Sequence, residues 1–452
     1  MRTFVEKILN APAGSIVIRR PDIVMSHDNS ARIRKIFEEM GGEKLKDAGK
    51  LLVVLDRKMT GTTDELIRDY NSIHRFMDEQ KVEHFFDCDK GICHEILAGQ
   101  LKPGGLIVGN DSHTCTAGAF NCMAVGLNKT ETAVLWKEGE MWFRVPETIK
   151  ISLKNRLPEG VYAKDLALWI MGMLREENVA YKSLEFHGEG VPALSIADRM
   201  TLANVTAEMG LKSAAFPPDD KLADYFGDYA VQGVWADRDA MYYKEFEVDL
   251  AQVIPLVMEV GEINEIKAPG EWGRLEIQQG LIGACASGRL EDLRVVARIL
   301  DGKKIASGFQ LSIVPASREI YLQAIQEGII DRLVKSGASI LGSSCGPCLG
   351  SSHMIMADTR RFITTVNSNS MRRLSAIGVE KYVASPATVA MTALTGVLTV
   401  EVERTDAKYP YWEMPKVWVT VNEFERRYHN RVWNYGDLNS IACEQLFDEA
   451  CT

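Results

Sequence analysis

Short apolar blocks alternate along this chain with segments that have the spacing of amphipathic helices. The block at 51–55 precedes such a segment at 64–76, and the block at 106–108 precedes another at 118–137. Alternating strands and helices are typical of α/β layers, in which helices cover a sheet. With 452 residues, the chain has room for roughly three domains of this kind.

We expect three α/β domains followed by a tail. The first domain is placed at 1–144 and the second at 145–262. The second contains a predicted strand at 149–153 and predicted helices at 163–176 and 195–208, the last of which ends at a glycine.

The third domain is placed at 275–400. It follows the segment 261–280, which is charged, contains Pro269 and several glycines, and predicts an interdomain linker. Its predicted elements are a strand at 281–284 and helices at 290–300 and 318–335. The composition then shifts toward aromatic and charged residues, which marks 401–452 as a tail.

The charge balance counts against a nucleic-acid partner. The chain has 52 Lys and Arg against 62 Asp and Glu, a net charge of −10, whereas nucleic-acid binders depend on neutralising phosphates. No apolar run has the character of a membrane span and no signal peptide is recognisable, so we expect a cytoplasmic protein. Nine cysteines, an odd number, are expected as reduced thiols.

Two cysteine motifs are the strongest chemical signal in the sequence. GACASGRLEDL spans 283–293 and SSCGPCLG spans 343–350, so Cys285, Cys345 and Cys348 lie in small-residue loops. Glycine lets the backbone approach a bulky inorganic group. Three thiolates suit an iron–sulfur cluster with one open iron, because tetrahedral zinc normally takes a fourth protein ligand. For a lone C-x2-C pair, buried thiols or a redox pair remain alternatives.

Further motifs follow one another in order along residues 1–400: GNDSHTCTAGAF at 109–120, NVTAEMG at 204–210 and VNSNSMRR at 366–373. Together with the cysteine motifs, they resemble the large subunit of the aconitase and 3-isopropylmalate dehydratase family. The resemblance implies three α/β layered domains of the aconitase type, without a complete swivelling fourth domain. The tail at 429–441 either resembles the opening strand of that missing domain or is an ordinary strand and helix.

The resemblance also implies the site. The cysteines Cys285, Cys345 and Cys348 would hold a [4Fe-4S] cluster, whose uncoordinated iron acts as Lewis acid on a leaving hydroxyl. The implied catalytic residues are Asp56, His94, Asp111, His113 and Glu208. The implied substrate-binding residues are His27, Asp28, Ser112, Asn204, Arg289 and Arg373. Arg57 is a further substrate-binding candidate, because it could offer a cation to the substrate.

We expect Asp111 to pair with His94 and Glu208 to pair with His113. A carboxylate bound to an imidazole fixes its tautomer and tunes its pKa. Asn204 and Glu208 are four residues apart and therefore share one face of a predicted helix.

Three places depart from the family's pattern. Arg57 follows Asp56 where the family has histidine, and Ser368 stands where the family has an arginine that binds a substrate carboxylate. Around Cys285 the family's SCTN reads ACAS. Either the substrate differs, with Arg57 offering a cation from a new direction, or the chain has kept the scaffold and lost the reaction. We favour a changed substrate, because the other implied catalytic residues remain.

The sequence thus predicts the large subunit of a [4Fe-4S] hydro-lyase or isomerase that acts on a small hydroxy di- or tricarboxylate. A malate-type substrate is expected rather than citrate, since a buried unpaired carboxylate is costly. We expect a separate small swivel-domain subunit as partner, and neither a membrane nor a nucleic acid. The alternatives are an iron-sensing or RNA-binding regulator with a cluster, and a zinc-stabilised scaffold.

Overall fold

The computed structural model describes residues 1–57, 63–88, 90–227, 233–261, 264–349, 359–373 and 378–400. They belong to one compact unit, Met1–Ala407. The predicted tail at 401–452 and its segment 429–441 lie outside the described residues.

The strands in this part of the chain are β1 (Ile16–Arg19), β2 (Ile23–Ser26), β3 (Leu51–Val54), β4 (His84–Phe86), β5 (Leu106–Gly109), β6 (Met123–Gly126), β7 (Met141–Arg144), β8 (Thr148–Lys154), β9 (Ser183–His187), β10 (Ser213–Ala215), β11 (Lys244–Asp249), β12 (Val257–Glu259), β13 (Glu265–Lys267), β14 (Gln279–Gly283), β15 (Gln310–Val314), β16 (Ser339–Ile340), β17 (Arg361–Thr364) and β18 (Glu380–Ala384).

The α-helices are α1 (Phe4–Ile8), α2 (Ser30–Glu39), α3 (Asp64–Glu79), α4 (Cys93–Ala98), α5 (Lys129–Glu138), α6 (Ala163–Met173), α7 (Ile196–Val205), α8 (Asp220–Phe226), α9 (Ala284–Ser287), α10 (Leu290–Leu300), α11 (Arg318–Gln326), α12 (Ile329–Ser336), α13 (Gly346–Leu349), α14 (Ser368–Arg373) and α15 (Pro386–Thr395). Two 3₁₀ helices also carry site residues, Ser112–Phe120 and Thr206–Met209.

The strands form three mainly parallel sheets and one ribbon. The first sheet has the order β4-β3-β2-β5-β6 and the second β10-β9-β8-β11, and both are parallel throughout. The third has the order β13-β12-β18-β17-β14-β15-β16, in which only β12 runs antiparallel to its neighbours. β1 and β7 form an antiparallel ribbon. The predicted α/β class is confirmed.

Burial explains why the predicted apolar blocks are strands. Every residue of β3 and β5 is buried, as expected for a parallel strand covered by helices on both faces. Phe37 of α2 packs against Phe76 of α3 and Trp136 of α5, with ring centroids 5.9 Å and 6.2 Å apart. These rings join the first sheet in one apolar core, and a second core surrounds the third sheet and α10.

Strands of two sheets end beside predicted site residues. In the first sheet β3 is followed by Asp56 and β5 by Asp111, and in the third sheet β14 is followed by Cys285, while β17 leads to the motif VNSNSMRR at 366–373. Ligands of parallel α/β sheets bind outside the carboxyl ends of the strands. The fold therefore directs two sets of loops to one region.

The predicted helix at 118–137 is wrong. β6 interrupts it, pairs with β5, and is followed by α5. Asn121 is left-handed (φ 58°), and Asn128 begins α5 with a capping box to Glu131. A four-residue apolar run cannot be assigned to a strand or a helix by periodicity alone.

Two further expectations need correction. The predicted helix at 318–335 is two helices, α11 and α12, because Gly328 adopts φ 67° between them. The predicted linker at 261–280 contains β13, which pairs with β12 and so extends the third sheet. β13 is three residues long and charged at both ends, which left no hydrophobic period to detect.

None of the helices in the described part of the chain has the length and apolarity that a bilayer crossing requires.

Candidate active site

Asp111 is the centre of the first half of the site. It follows β5 and caps the 3₁₀ helix Ser112–Phe120, and its Oδ1 accepts hydrogen bonds from the His113 backbone nitrogen at 2.8 Å and from His94 Nε2 at 3.0 Å. Arg57 forms an ion pair with Oδ2 of the same carboxylate. Burial opposes ionisation, but Arg57 and the imidazoles hold the pKa of Asp111 well below its usual range.

Glu208 is the centre of the second half. Its Oε1 lies 3.0 Å from His113 Nε2, while Oε2 accepts from Ser368 Oγ at 2.6 Å and from the Asn369 backbone nitrogen at 2.7 Å. Burial disfavours the imidazolium of His113, yet the hydrogen bonds that it donates to the Asp111 and Glu208 carboxylates raise its pKa to about 10. At neutral pH, His113 is therefore a cation between two carboxylates.

Cys285 lies beside both imidazoles. One potential metal-binding atom from each of His94, His113 and Cys285 lies within 4.8 Å of the others. The strand β14 reaches this point through Gly283, whose φ is 127° and whose added Cβ would stand 2.1 Å from Val314 O. Only glycine fits such a close approach at this backbone conformation.

Cys345 and Cys348 belong to a later segment of the third domain, about sixty residues after Cys285. The Cys345 backbone nitrogen donates to Asp56 O at 2.8 Å, and the Cys348 nitrogen donates to Cys345 O at 3.1 Å. Burial raises the pKa of the Cys285 thiol, and the neighbouring Cys345 raises it further. Cys285 and Cys348 are buried and Cys345 is half-buried. Cys345 lies close enough to raise the pKa of each of the other two thiols.

The comparison with protein families identifies the chain's family. The sequence profile of the Aconitase family (aconitate hydratase) matches residues 6–261 and 261–396. The chain belongs to the aconitase family. It is therefore a hydro-lyase, the class of enzyme that this family comprises.

Relatives match the chain over most of its length. The 3-isopropylmalate dehydratase large subunit 1 of Methanopyrus kandleri is 38% identical over 410 residues, covering 88% of this chain and 98% of the relative. A probable methanogen homoaconitase large subunit of Methanosarcina mazei is 37% identical over 384 residues, covering 84% and 97%. The crystal structure of aconitase X from Thermococcus kodakaraensis (holo-form) has a TM-score of 0.50 at 14% identity, covers 80% of this chain and 86% of that chain, and supports the fold alone.

Membership of the aconitase family implies an iron–sulfur cluster, and the residues present fit such a group. His94 Nδ1 and Ser343 Oγ are buried, and neither has a hydrogen-bond partner among the residues that the structure describes. Burial of Cys285 and Cys348 with raised pKa values disfavours their thiolates, and a bound metal ion would offset this cost by replacing the protons. Both features are expected where iron and sulfide complete the contacts.

Two predicted binding residues of this aconitase-family chain, His27 and Asp28, are held by protein contacts. His27 Nε2 lies 2.6 Å from Asn110 O, and burial together with Arg57 lowers its pKa to about 3, so it is neutral. Asp28 Oδ2 accepts from the backbone nitrogens of Asp56 and Arg57 at 3.1 and 3.0 Å, and Tyr70 donates to Oδ1. Asp28 therefore braces the loop after β3.

Arg289 is also buried in protein contacts. It donates to Thr201 Oγ1 at 3.2 Å and to Cys285 O at 2.7 Å, and its Nε lies 2.8 Å from Glu95 Oε1. Arg289 thus connects α4, α7 and the backbone of α9 at Cys285.

The other predicted residues are placed differently. Asn204 Nδ2 lies 3.6 Å from Cys285 Sγ, and Ser112 is exposed at the start of its 3₁₀ helix. Asp56 is buried, and burial raises its pKa to about 7 against the opposing effect of Arg57. Arg373 ends α14, and its side chain lies outside the described residues.

Sequence reasoning missed Lys164, which is buried behind the site at the start of α6. Its Nζ donates to Asn367 Oδ1 at 3.1 Å. The available signal was a lysine in the first turn of an otherwise mostly apolar helical segment, YAKDLALWIMG.

Proposed function

We propose that this chain is the large catalytic subunit of a [4Fe-4S] hydro-lyase or isomerase that acts on a small hydroxy dicarboxylate of the substituted-malate type. One observation carries the proposal. Two carboxylate–imidazole pairs, each 3.0 Å long, flank the Cys285 thiol: His94 with Asp111, and His113 with Glu208.

Dehydration needs a proton for the departing hydroxyl and a base for the carbon acid beside a carboxylate. His113 is suited to donate a proton, because its raised pKa keeps it charged at neutral pH. Asp111 is suited to orient His94, whose Nε2 it binds. Cys285, Cys345 and Cys348 would hold the cluster, which when bound supplies an open iron as Lewis acid.

The substrate proposal follows from two positions. Ser368, where the family has an arginine, donates to Glu208 at 2.6 Å and offers no cation for a second or third carboxylate. Arg57 brings one guanidinium into the site through its pair with Asp111. A citrate-type substrate would bury a carboxylate without a partner, which costs several kcal/mol. A dicarboxylate is penalised less.

A separate small subunit is part of the proposal. The relatives from Methanopyrus kandleri and Methanosarcina mazei are named large subunits, and the alignments cover 98% and 97% of them. The resemblance assigns the swivelling domain to another chain. The proposed domains of this chain are 1–144, 145–262 and 275–400, with β12 as a strand that the second contributes to the third sheet.

The test is anaerobic reconstitution with iron and sulfide, followed by turnover of a panel of hydroxy acids with and without a candidate small subunit. We expect a brown, oxygen-labile protein that dehydrates a substituted malate only in the presence of the small subunit. One tightly bound zinc and no sulfide in anaerobically prepared protein would contradict the proposal, as would full activity of the isolated chain.

Two substitutions test whether Arg57 and Ser368 set the substrate specificity. Arg57→His together with Ser368→Arg restores the family's residues, and we expect the ratio of kcat/KM values to move toward citrate-type substrates. The single variants are the matched controls, since each changes one cation only. Efficient turnover of citrate by the unmodified complex would show that these positions do not set specificity.

A further inference from the structure

Lys164 is a buried ammonium in an unfavourable local environment. Lys164 is only 2% exposed. Among the residues that the structure describes, no carboxylate forms an ion pair with it. It is the second residue of α6, where the positive end of the helix dipole repels a cation. Positions that break local rules in this way often serve a functional site.

A chain of hydrogen bonds leads from Lys164 to the thiol of Cys285. Lys164 Nζ donates to Asn367 Oδ1 at 3.1 Å, and Asn367 Nδ2 donates to Asn204 Oδ1 at 2.6 Å. Asn204 Nδ2 then donates to Thr116 Oγ1 at 2.8 Å and approaches Cys285 Sγ at 3.6 Å. Every link is buried.

The donor-only character of lysine fixes the direction of this chain. An amide has an acceptor oxygen at one end and a donor nitrogen at the other, whereas an ammonium can only donate. Lys164 therefore holds the oxygen of Asn367 toward itself, which turns the Asn367 nitrogen toward Asn204. As a result, Asn204 Nδ2 faces Cys285 Sγ. Successive hydrogen bonds in such a series polarise one another.

The electrostatics agree with this geometry. Burial lowers the pKa of Lys164 to about 8, while Glu208 and Cys285 act in the opposite direction. Of the groups that favour its charge, Glu208 and Cys285 belong to the active site, and Asp292 adds a smaller effect.

We propose that Lys164 is a positioning residue that orients Asn367 and Asn204 toward Cys285 and supplies a buried positive charge that stabilises the electron-rich cluster. The inference rests on the proposed function, because it requires the cluster to be bound. It concerns the reduction potential and lifetime of the cluster, which depend on nearby charge and on hydrogen bonds to the sulfurs.

Two substitutions separate the charge from the hydrogen bond. Lys164→Met removes both at similar volume, and Lys164→Gln removes the charge but keeps a donor for Asn367. Lys154→Met is the matched control, since Lys154 lies on the surface in an ion pair with Glu247. For each reconstituted holoprotein we would measure iron and sulfide, the EPR-monitored reduction potential, and the lifetime of the cluster in air.

We expect both Lys164 variants to shift the reduction potential to a lower value than in the wild type and in Lys154→Met, because a lost cation disfavours the added electron. Lys164→Met should also lose its cluster faster in air than Lys164→Gln. Folded, cluster-loaded Lys164 variants with the wild-type potential would overturn the inference. A wild-type chain that binds no cluster would instead overturn the proposed function.

A variant at another position tests the inference if neither Lys164 variant folds. Asn367→Ala removes the amide that links Lys164 to Asn204 and so interrupts the series of hydrogen bonds, while the charge of Lys164 stays in place. We expect a faster loss of the cluster in air, with iron and sulfide loading under anaerobic conditions unchanged. An unchanged lifetime would contradict the positioning role.

Discussion

Charged side chains alternate in sign across the site. Arg57, Asp111, His113 and Glu208 follow one another as cation, anion, cation and anion, joined by the Arg57–Asp111 pair, a 3.5 Å separation of Asp111 Oδ1 from His113 Nδ1, and the 3.0 Å bond to Glu208. In a buried site with a low dielectric constant, each charge strongly stabilises its neighbours. Removing one member should therefore change the protonation of the next.

Arg57→Gln tests this coupling. In the wild type Arg57 helps to keep the pKa of Asp111 far below its usual range, so Asp111 stays ionised as the pH falls. Without the guanidinium the pKa of Asp111 rises, and the acid limb of the pH profile of kcat/KM should move to higher pH. The control is Arg34→Gln, which breaks an exposed ion pair with Glu38. An unmoved acid limb would contradict the coupling.

Cys345→Ser tests the thiol group. The proposed cluster has no spare protein ligand, so we expect the variant to retain no stoichiometric iron and sulfide after anaerobic reconstitution. Cys122→Ser is the control, because the buried Cys122 thiol donates to Lys102 O and takes no part in the site. Full iron and sulfide loading of Cys345→Ser would remove Cys345 from the ligand set.

The family resemblance predicted which residues meet, but not what each side chain contacts. The pairs of Asp111 with His94 and Glu208 with His113 were predicted, and the structure brings both to 3.0 Å. Asp28 and Arg289 were predicted to bind substrate, which stays a prediction, and the sequence did not show that Asp28 also holds the loop after β3 or that Arg289 also connects three elements. Sequence gives the identity of a residue at a site, whereas its rotamer and its buried neighbours depend on the packed fold.

At the scale of elements, a helix was predicted correctly where the segment was long enough for its buried side chains to show a helical period. α10 was predicted at 290–300 and is observed at those residues, because its apolar side chains repeat with a helical period. β6 was missed because periodicity alone could not separate its four residues from the helical segment predicted around them, and β13 because its three residues are charged at both ends. Their identity depends on the neighbouring strands with which they pair.

The turn that joins β14 to α9 is an element-scale prediction. Gly283→Ala would place a Cβ 2.1 Å from Val314 O at φ 127°, and we expect a loss of roughly 3 kcal/mol in the free energy of unfolding from strain and overpacking. Gly302→Ala is the control, because φ is 68° and no atom lies within 4 Å of the added Cβ. That substitution should cost about 1 kcal/mol. Urea unfolding measures both, and equal losses would contradict the argument.

At the scale of the whole molecule, Arg289 links segments that are far apart in sequence. It joins Glu95 of α4, Thr201 of α7 and the backbone of Cys285 through buried contacts. The site therefore depends on the mutual placement of elements that pack on three different sheets.

Arg289→Gln should leave the Glu95 carboxylate without its cation and lower the free energy of unfolding by roughly 3 kcal/mol. The double variant with Glu95→Gln should lose less than the sum of the two single variants, because the unpaired charge is gone. Urea unfolding of the four proteins in the cycle measures the coupling. Strict additivity would show that the pair contributes nothing to the docking of these elements.

The bonds that Asp56 O accepts also set an order of events during biosynthesis. Ser344 Oγ and the Cys345 backbone nitrogen both donate to this oxygen, and Ser344 is 288 residues beyond Asp56 in the chain. Most of the polypeptide must therefore have emerged from the ribosome before the protein contacts that surround the thiols can form. Contacts between such distant segments form late in folding. We therefore expect the proposed cluster to be loaded only after the chain as far as Cys348 has been synthesised.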